Sequence, residues 1–153
     1  MRVEVDYLIN TASAPKVAEH LLFCNAFFIP PLTQRVHLPD YAQKIVSQTI
    51  RFEAWSKNLL IGLVAAYCND QNRGMAYVTS VSVIREWTGK GIAEHLMQQC
   101  ISHAITSDML QIKLEVAQNN RRAIKLYEKC GFIVAHGDRQ LISMVMNLKS
   151  ANP

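Results

Sequence analysis

The chain carries no run of Lys or Arg, no Cys-x-x-Cys pair and no long apolar stretch, and each absence removes a class of function. Its 16 basic and 12 acidic residues leave a formal charge of +4. An excess that small and that scattered predicts an anionic small ligand, and no nucleic-acid partner. Cys24, Cys68, Cys100 and Cys130 stand far apart with no histidine beside them. That pattern excludes a disulfide frame or a zinc site and predicts reduced, mostly buried thiols in a cytoplasmic protein. Five isolated histidines add no metal-ligand spacing, so no metal is expected. The charged amino-terminal stretch predicts neither a signal peptide nor a membrane span. No repeat, linker or low-complexity segment interrupts the 153 residues, half of them hydrophobic, so residues 1–153 are expected to fold as one domain.

What is present reads as alternating elements. Val3 to Ile9 alternates as a strand. Ser13 caps a helix that tolerates Pro15 in its first turn, with Val17, Ala18, Leu21, Leu22 and Ala26 as the inner face and Pro30-Pro31 as its stop. Residues 29–39 hold too much proline for a regular element, and Asp40 with Gln43 predicts a capping box for a short helix to about Ser47. Thr49 to Ser56 and Leu59 to Tyr67 form a hairpin about Lys57-Asn58, and Met75 to Ile84 adds a third strand after a polar loop at 69–74. Gln111 to Ala117 is a strand, Asn120 to Cys130 a basic helix ended by Gly131, and Phe132 to His136 with Gln140 to Leu148 a closing strand pair. The order β-α-α-β-β-β-α-β-α-β-β predicts an α/β (α+β) fold with a mixed, largely antiparallel sheet and helices on both faces.

Between the third meander strand and the next helix lies a short turn with Thr88, Gly89, Lys90 and Gly91. The helix carries Ile92, Leu96, Met97, Cys100, Ile101, Ala104 and Ile105 at the spacing of one buried stripe. Its first turn must offer unpaired N–H groups and the positive end of the helix dipole. Two glycines there clear the approach for an anion, most naturally a pyrophosphate. A dinucleotide fingerprint would want a third glycine where Glu94 stands, and a Walker loop would want Ser or Thr where Gly91 follows Lys90. Neither fits, and taken alone the glycines also suit a plain tight turn.

A second block decides between these. Residues 114–132 read L-E-V-A-Q-N-N-R-R-A-I-K-L-Y-E-K-C-G-F. This resembles the signature L-E-V-x-x-x-N-x-x-A-x-x-L-Y-E-x-x-G-F of the GNAT superfamily of acetyl-CoA-dependent N-acetyltransferases. The turn from Thr88 to Ala93 is similar to that family's other hallmark, Gln/Arg-x-x-Gly-x-Gly/Ala, with Thr88 in place of Gln or Arg. The two blocks lie in that family's order and at about its spacing, and strand order agrees over roughly residues 2–148. The resemblance implies a sheet of six to seven strands, about four helices, and a V-shaped opening between the strands ending near Val83 and Val116. The pantetheine arm of acetyl-CoA would pair with the backbone at Val81, Ser82 and Val83. The pyrophosphate would sit on the amides of Gly89, Lys90, Gly91, Ile92, Ala93 and Glu94. Thr88 leaves one phosphate contact short, which Lys90 or Arg85 would supply. Asn120 would contact the pantetheine as well as cap its helix, with Asn119 the lesser choice. Arg121 or Arg122 would reach the 3′-phosphate.

The chemistry follows from the ligands so implied. An alkylammonium with a pKa near ~10 is neutral in about one molecule in a thousand at neutral pH, so a base or water chain must take its proton. Attack on the thioester builds an oxyanion that wants a placed N–H, for which the Val81 amide is the candidate. The departing thiolate wants an acid, and the resemblance assigns Tyr127, which also packs with Ala123 and Cys130 on one helix face. Glu115, opposite Ile112, Leu114 and Val116 and beside Lys113, is the base by likeness to the members that acetylate protein amino termini; Glu53 is a second candidate. By analogy the loop at 24–41 and the last strand pair shape the acceptor site, where Phe27, Phe28, Arg35, His37 and Tyr41 cluster.

The expectation is therefore direct acetyl transfer from acetyl-CoA to a primary amine of a small molecule. A protein or peptide amino terminus is the alternative acceptor, and a catalytically silent CoA-binding or sensing domain the alternative of another class. The partners are acetyl-CoA and the amine, with a homodimer as a possible assembly and no membrane.

Overall fold

The computed structural model describes residues 4–70 and 74–148. In chain order these form β1 (Asp6–Ile9), α1 (Ala14–Phe23), α2 (Leu38–Gln48), β2 (Ile50–Ser56), β3 (Leu59–Asp70), β4 (Met75–Val83), α3 (Ile92–Thr106), β5 (Gln111–Ala117), α4 (Arg121–Cys130), β6 (Ile133–Gly137) and β7 (Leu141–Asn147). Seven strands make one sheet ordered β1-β2-β3-β4-β5-β7-β6. All neighbours run antiparallel except β4 and β5. The mixed, largely antiparallel sheet and its four helices are as the sequence predicts.

Local chemistry accounts for most of the elements. Lys57 and Asn58 both hold positive φ, the twist that a tight β2–β3 hairpin needs. β3 is central, and its near-continuous apolar run is buried on both faces. On one face Val17, Leu21, Ala42 and Ile45 of α1 and α2 pack against Leu60, Leu63 and Ala65. On the other, Leu96, Met97, Cys100 and Tyr127 of α3 and α4 pack against Phe52, Ile61, Val64, Val78, Ile112 and Leu114. Gly62 lets α3 come close: a Cβ there would meet Ile92 Cγ2 at 2.8 Å.

Several expectations are corrected. α1 turns His20 and Cys24 inward, whereas Leu22 is 61% exposed and Ala26 sits in an exposed 3-10 turn. The helix stripe selects positions 17, 20, 21 and 24, and hydrophobicity alone misassigns a histidine whose two ring nitrogens are both satisfied. α2 begins at Leu38 with His37 at its cap, and Asp40 lies within the first turn. Pro39 fits that turn because its N–H would be unpaired there in any case. Short 3-10 turns at Asn25–Phe27 and Leu32–Gln34 break the proline-rich loop. β1 starts at Asp6, and Val3 lies outside the described residues, as do 71–73 of the expected polar loop. β3 runs on to Asp70.

Candidate active site

The parallel pair that joins the two halves of the sheet is short. Met75, Ala76 and Tyr77 register with Gln111, Ile112 and Lys113, and beyond them β4 and β5 part. The cause lies in β4: Ala65 registers with Ser80 but Ala66 with Val78, so Thr79 is an extra residue that bends the strand. Tyr41 holds the bulge, its hydroxyl donating to the Thr79 carbonyl at 3.0 Å. Past the bulge the Ile84 N–H donates to Ile61 of β3, so strand alternation turns the N–H and C=O groups of Val81 and Val83 toward the gap. The gap opens into a cavity of about 680 Å³ lined by both strands, the glycine turn, α4 and the segment between α1 and α2.

At one end of the cavity stands the anion cradle. Gly91 caps α3 in the left-handed region (φ 78°), and Gly89 shares that conformation (φ 77°). A Cβ added at either would meet nothing within 4 Å, so the space over the turn is open and the glycines serve the backbone path. The first α3 bond runs from the His95 N–H to Gly91 O, which leaves the amides of Ile92, Ala93 and Glu94 without a helical acceptor. Thr88 does not substitute for a longer polar side chain, because its hydroxyl donates to Arg85 O at 2.8 Å. Lys90 lies outside the cavity beside Glu86 and Trp87, and Arg85 lies over the Phe27 ring at 5.6 Å. Arg122 and Lys129 of α4 line the cavity, the latter paired with Glu94 at 3.0 Å; Arg121 does not line it.

Farther in, α4 and β5 bring the chemistry-bearing groups to the same cavity. Asn120 caps α4 by accepting from Ala123 N at 3.3 Å, and its amide lines the opening. Tyr127 is buried in the core, edge-on to Phe132, yet it too lines the cavity, and its hydroxyl bonds to no protein group among the described residues. Burial pushes this phenol well above the ordinary tyrosine value. Glu115 reaches the exposed face of β5, where Tyr77 donates a hydrogen bond to it at 3.1 Å. Burial, with the adjacent carboxylate charge, pushes the Tyr77 phenol up to about 12. Val81, Ser82, Val83, Thr88, Gly89, Gly91, Ile92, Ala93 and Glu94 complete the lining from the strand and turn.

Other candidates are placed elsewhere or are engaged. Glu53 is fully buried, accepting from Thr11, Ala12, Arg51 and Trp55, and does not line the cavity. It holds β1 and the start of α1 to β2 and is removed as a base. His37 pairs with Asp40 at 3.1 Å on the surface, while Phe27, Phe28, Arg35 and Tyr41 line the cavity. Behind β4, His20 Nδ1 lies 2.8 Å from Leu60 O and its Nε2 2.8 Å from Ser82 Oγ. A carbonyl can only accept, so Nδ1 carries the proton and Nε2 receives the Ser82 hydroxyl. Neither the Tyr77–Glu115 contact nor this clamp has a local signal, since the partners stand 38 and 62 residues apart. Among the described residues, no group of three or more His, Cys, Asp or Glu converges as a metal site, and no helix is long and apolar enough to cross a membrane.

Comparison with known proteins agrees with this geometry. The model of the acetyltransferase (GNAT) family matches residues 17–132. An N-alpha-acetyltransferase, MAK3 of Arabidopsis thaliana, is 29% identical over 85 residues, covering 55% of this chain and 45% of that protein. The L-2,4-diaminobutyric acid acetyltransferase of Halalkalibacterium halodurans is 29% identical over 70 residues, covering 46% of this chain and 37% of that one. The chain thus spans less than half the length of these curated relatives. A Bacillus subtilis acetyltransferase solved in complex with CoA superposes with a TM-score of 0.73 at 13% identity, covering 95% of this chain and all of the other.

Proposed function

The chain belongs to the acetyltransferase (GNAT) family, and on that premise we propose that it moves an acetyl group directly from acetyl-CoA to a primary amine of a small molecule. One observation carries the reading: a single cavity is lined both by an open left-handed cradle and by Tyr127 and Glu115. The amides of Ile92 to Glu94 would hold the pyrophosphate, whose charge they complement. The outward N–H and C=O groups of Val81 and Val83 would hold the pantetheine, and Asn120 and Arg122 line the same cavity.

The acceptor ammonium gives its proton to Glu115 or to a water beside it. The freed nitrogen then attacks the thioester carbon, and the Val81 N–H receives the growing oxyanion. Collapse breaks the carbon–sulfur bond, the Tyr127 phenol gives its proton to the departing thiolate, and the second proton that the nitrogen sheds on becoming an amide restores the phenol. Tyr77 keeps Glu115 in place without competing for the proton, because its own phenol is the weaker acid. The four free thiols suit a reducing, cytoplasmic setting.

A protein or peptide amino terminus is the second reading, favoured by the place of Glu115 in L-E-V and by the Arabidopsis relative. Thiol release from acetyl-CoA, followed over a panel of small amines and amino-terminal peptides, separates the two. Small amines are expected to turn over, with Glu115→Gln losing roughly 10²-fold in kcat. Turnover of peptides alone would shift the reading to amino termini. Tight CoA binding with no release for any acceptor would make the chain a CoA-binding domain.

A further inference from the structure

Resting on the transfer reaction above, we infer that the acceptor is a monoamine carried on an apolar body, and that the pocket rejects amines with a second positive charge. Beyond the Thr79 bulge the cavity is walled by Leu32 and Val36 from the segment between α1 and α2, by Tyr41 of α2 and by Leu141 of β7. Leu32, Val36 and Tyr41 are anchored in the core under α1 and α2, so this wall is held in place by packing. It offers contact to aliphatic side chains and the Tyr41 ring, whose hydroxyl is held by Thr79, and no carboxylate.

The charges agree. Among the described residues lining the cavity, the only carboxylates are Glu94 and Glu115. Glu94 is closed by Lys129 at 3.0 Å. Glu115 is committed to the reacting ammonium and already receives the Tyr77 hydroxyl. Among the described residues of the lining, no acid is left for another ammonium. Instead Arg35 lines the same wall, with no acidic partner among the described ion pairs and near enough for Tyr41 to feel its charge. A second cation would therefore meet apolar side chains on one side and a guanidinium on the other, which leaves it unpaired beside a like charge.

The test is a matched pair of acceptors, n-hexylamine and cadaverine. They have the same length, and a terminal methyl in one replaces an ammonium in the other. Thiol release with acetyl-CoA is expected to give a kcat/KM for n-hexylamine at least ~10-fold above cadaverine. Arg35 is exposed, so Arg35→Glu does not threaten folding, and it is expected to shrink that ratio to about 3-fold or less. A ratio near one in the unmodified protein, or one that Arg35→Glu leaves unchanged, overturns the inference while the transferase reading stands. Bound CoA with no release from either amine overturns the inference, and the transferase reading falls with it only when the whole panel of small amines and peptides also gives no release.

Discussion

In the proposed transfer Tyr127 would be the acid, and it is buried in the core while lining the cavity. Its phenol is kept protonated by burial, so it can supply a proton at any pH where the protein works. Tyr127→Phe is expected to lower kcat by about 10²-fold and leave CoA affinity nearly intact, which steady-state rates and a CoA titration would show. An unchanged rate would remove it from the mechanism. The pH profile carries the same information. Rates should climb as the acceptor ammonium loses its proton, with no fall below pH ~10 from loss of the Tyr127 proton. His20 governs a different property. Burial holds its ring down to about 4, from an ordinary 6.5. Between those values the unfolded chain binds a proton that the folded chain refuses, so stability falls as the pH drops through that window. The loss amounts to about 3 kcal/mol and is complete below the folded value. Urea unfolding across this range should show the slope, and His20→Asn should flatten it. Equal slopes in both proteins would show that the ring does not govern acid stability.

At the scale of elements, the site is set by how close α3 comes to β3 and by where β4 leaves β5. Gly62 permits the first contact and the Thr79 bulge causes the second. Gly62→Ala would drive a Cβ to 2.8 Å from Ile92 and 3.2 Å from Leu96, pushing the first turn of α3 away from the sheet. The cradle amides would move with it. Weaker CoA binding, by roughly 10-fold, is expected along with about 1–3 kcal/mol of lost stability, read by calorimetric titration and denaturant melts. Binding as tight as in the unmodified protein would show that the cradle does not depend on this contact. The elements themselves were legible in the sequence, since a helix stripe or an alternating strand is recorded in consecutive residues. Asn120 as a cap and Gly131 as a helix stop were read correctly for the same reason. The cap falls at His37 in place of Asp40 because Pro39 permits the helix to start three residues earlier, a choice made by the burial of Leu38.

At the scale of the whole molecule, CoA would bridge two halves of a sheet that meet through only three registered pairs between β4 and β5. A ligand at 100 times its dissociation constant adds about 2.7 kcal/mol, or roughly 5–10 °C in Tm for a chain of this size. Amide exchange at Val81 and Val83 should slow on binding, while Ser82, whose N–H faces β3, should not respond. Equal protection of all three would argue against strand-like pairing of the pantetheine. By itself the sequence determined the types and order of the elements, the glycine cradle, and the motif that carries Glu115, Asn120 and Tyr127. Those depend on neighbours a few residues apart. Only the tertiary structure decided that Glu53 is consumed by Thr11, Ala12, Arg51 and Trp55, that Lys90 lies outside the cavity, that Tyr77 meets Glu115 and that His20 clamps Ser82. Each outcome is a contest between distant partners for one buried position, which packing settles and local spacing does not record.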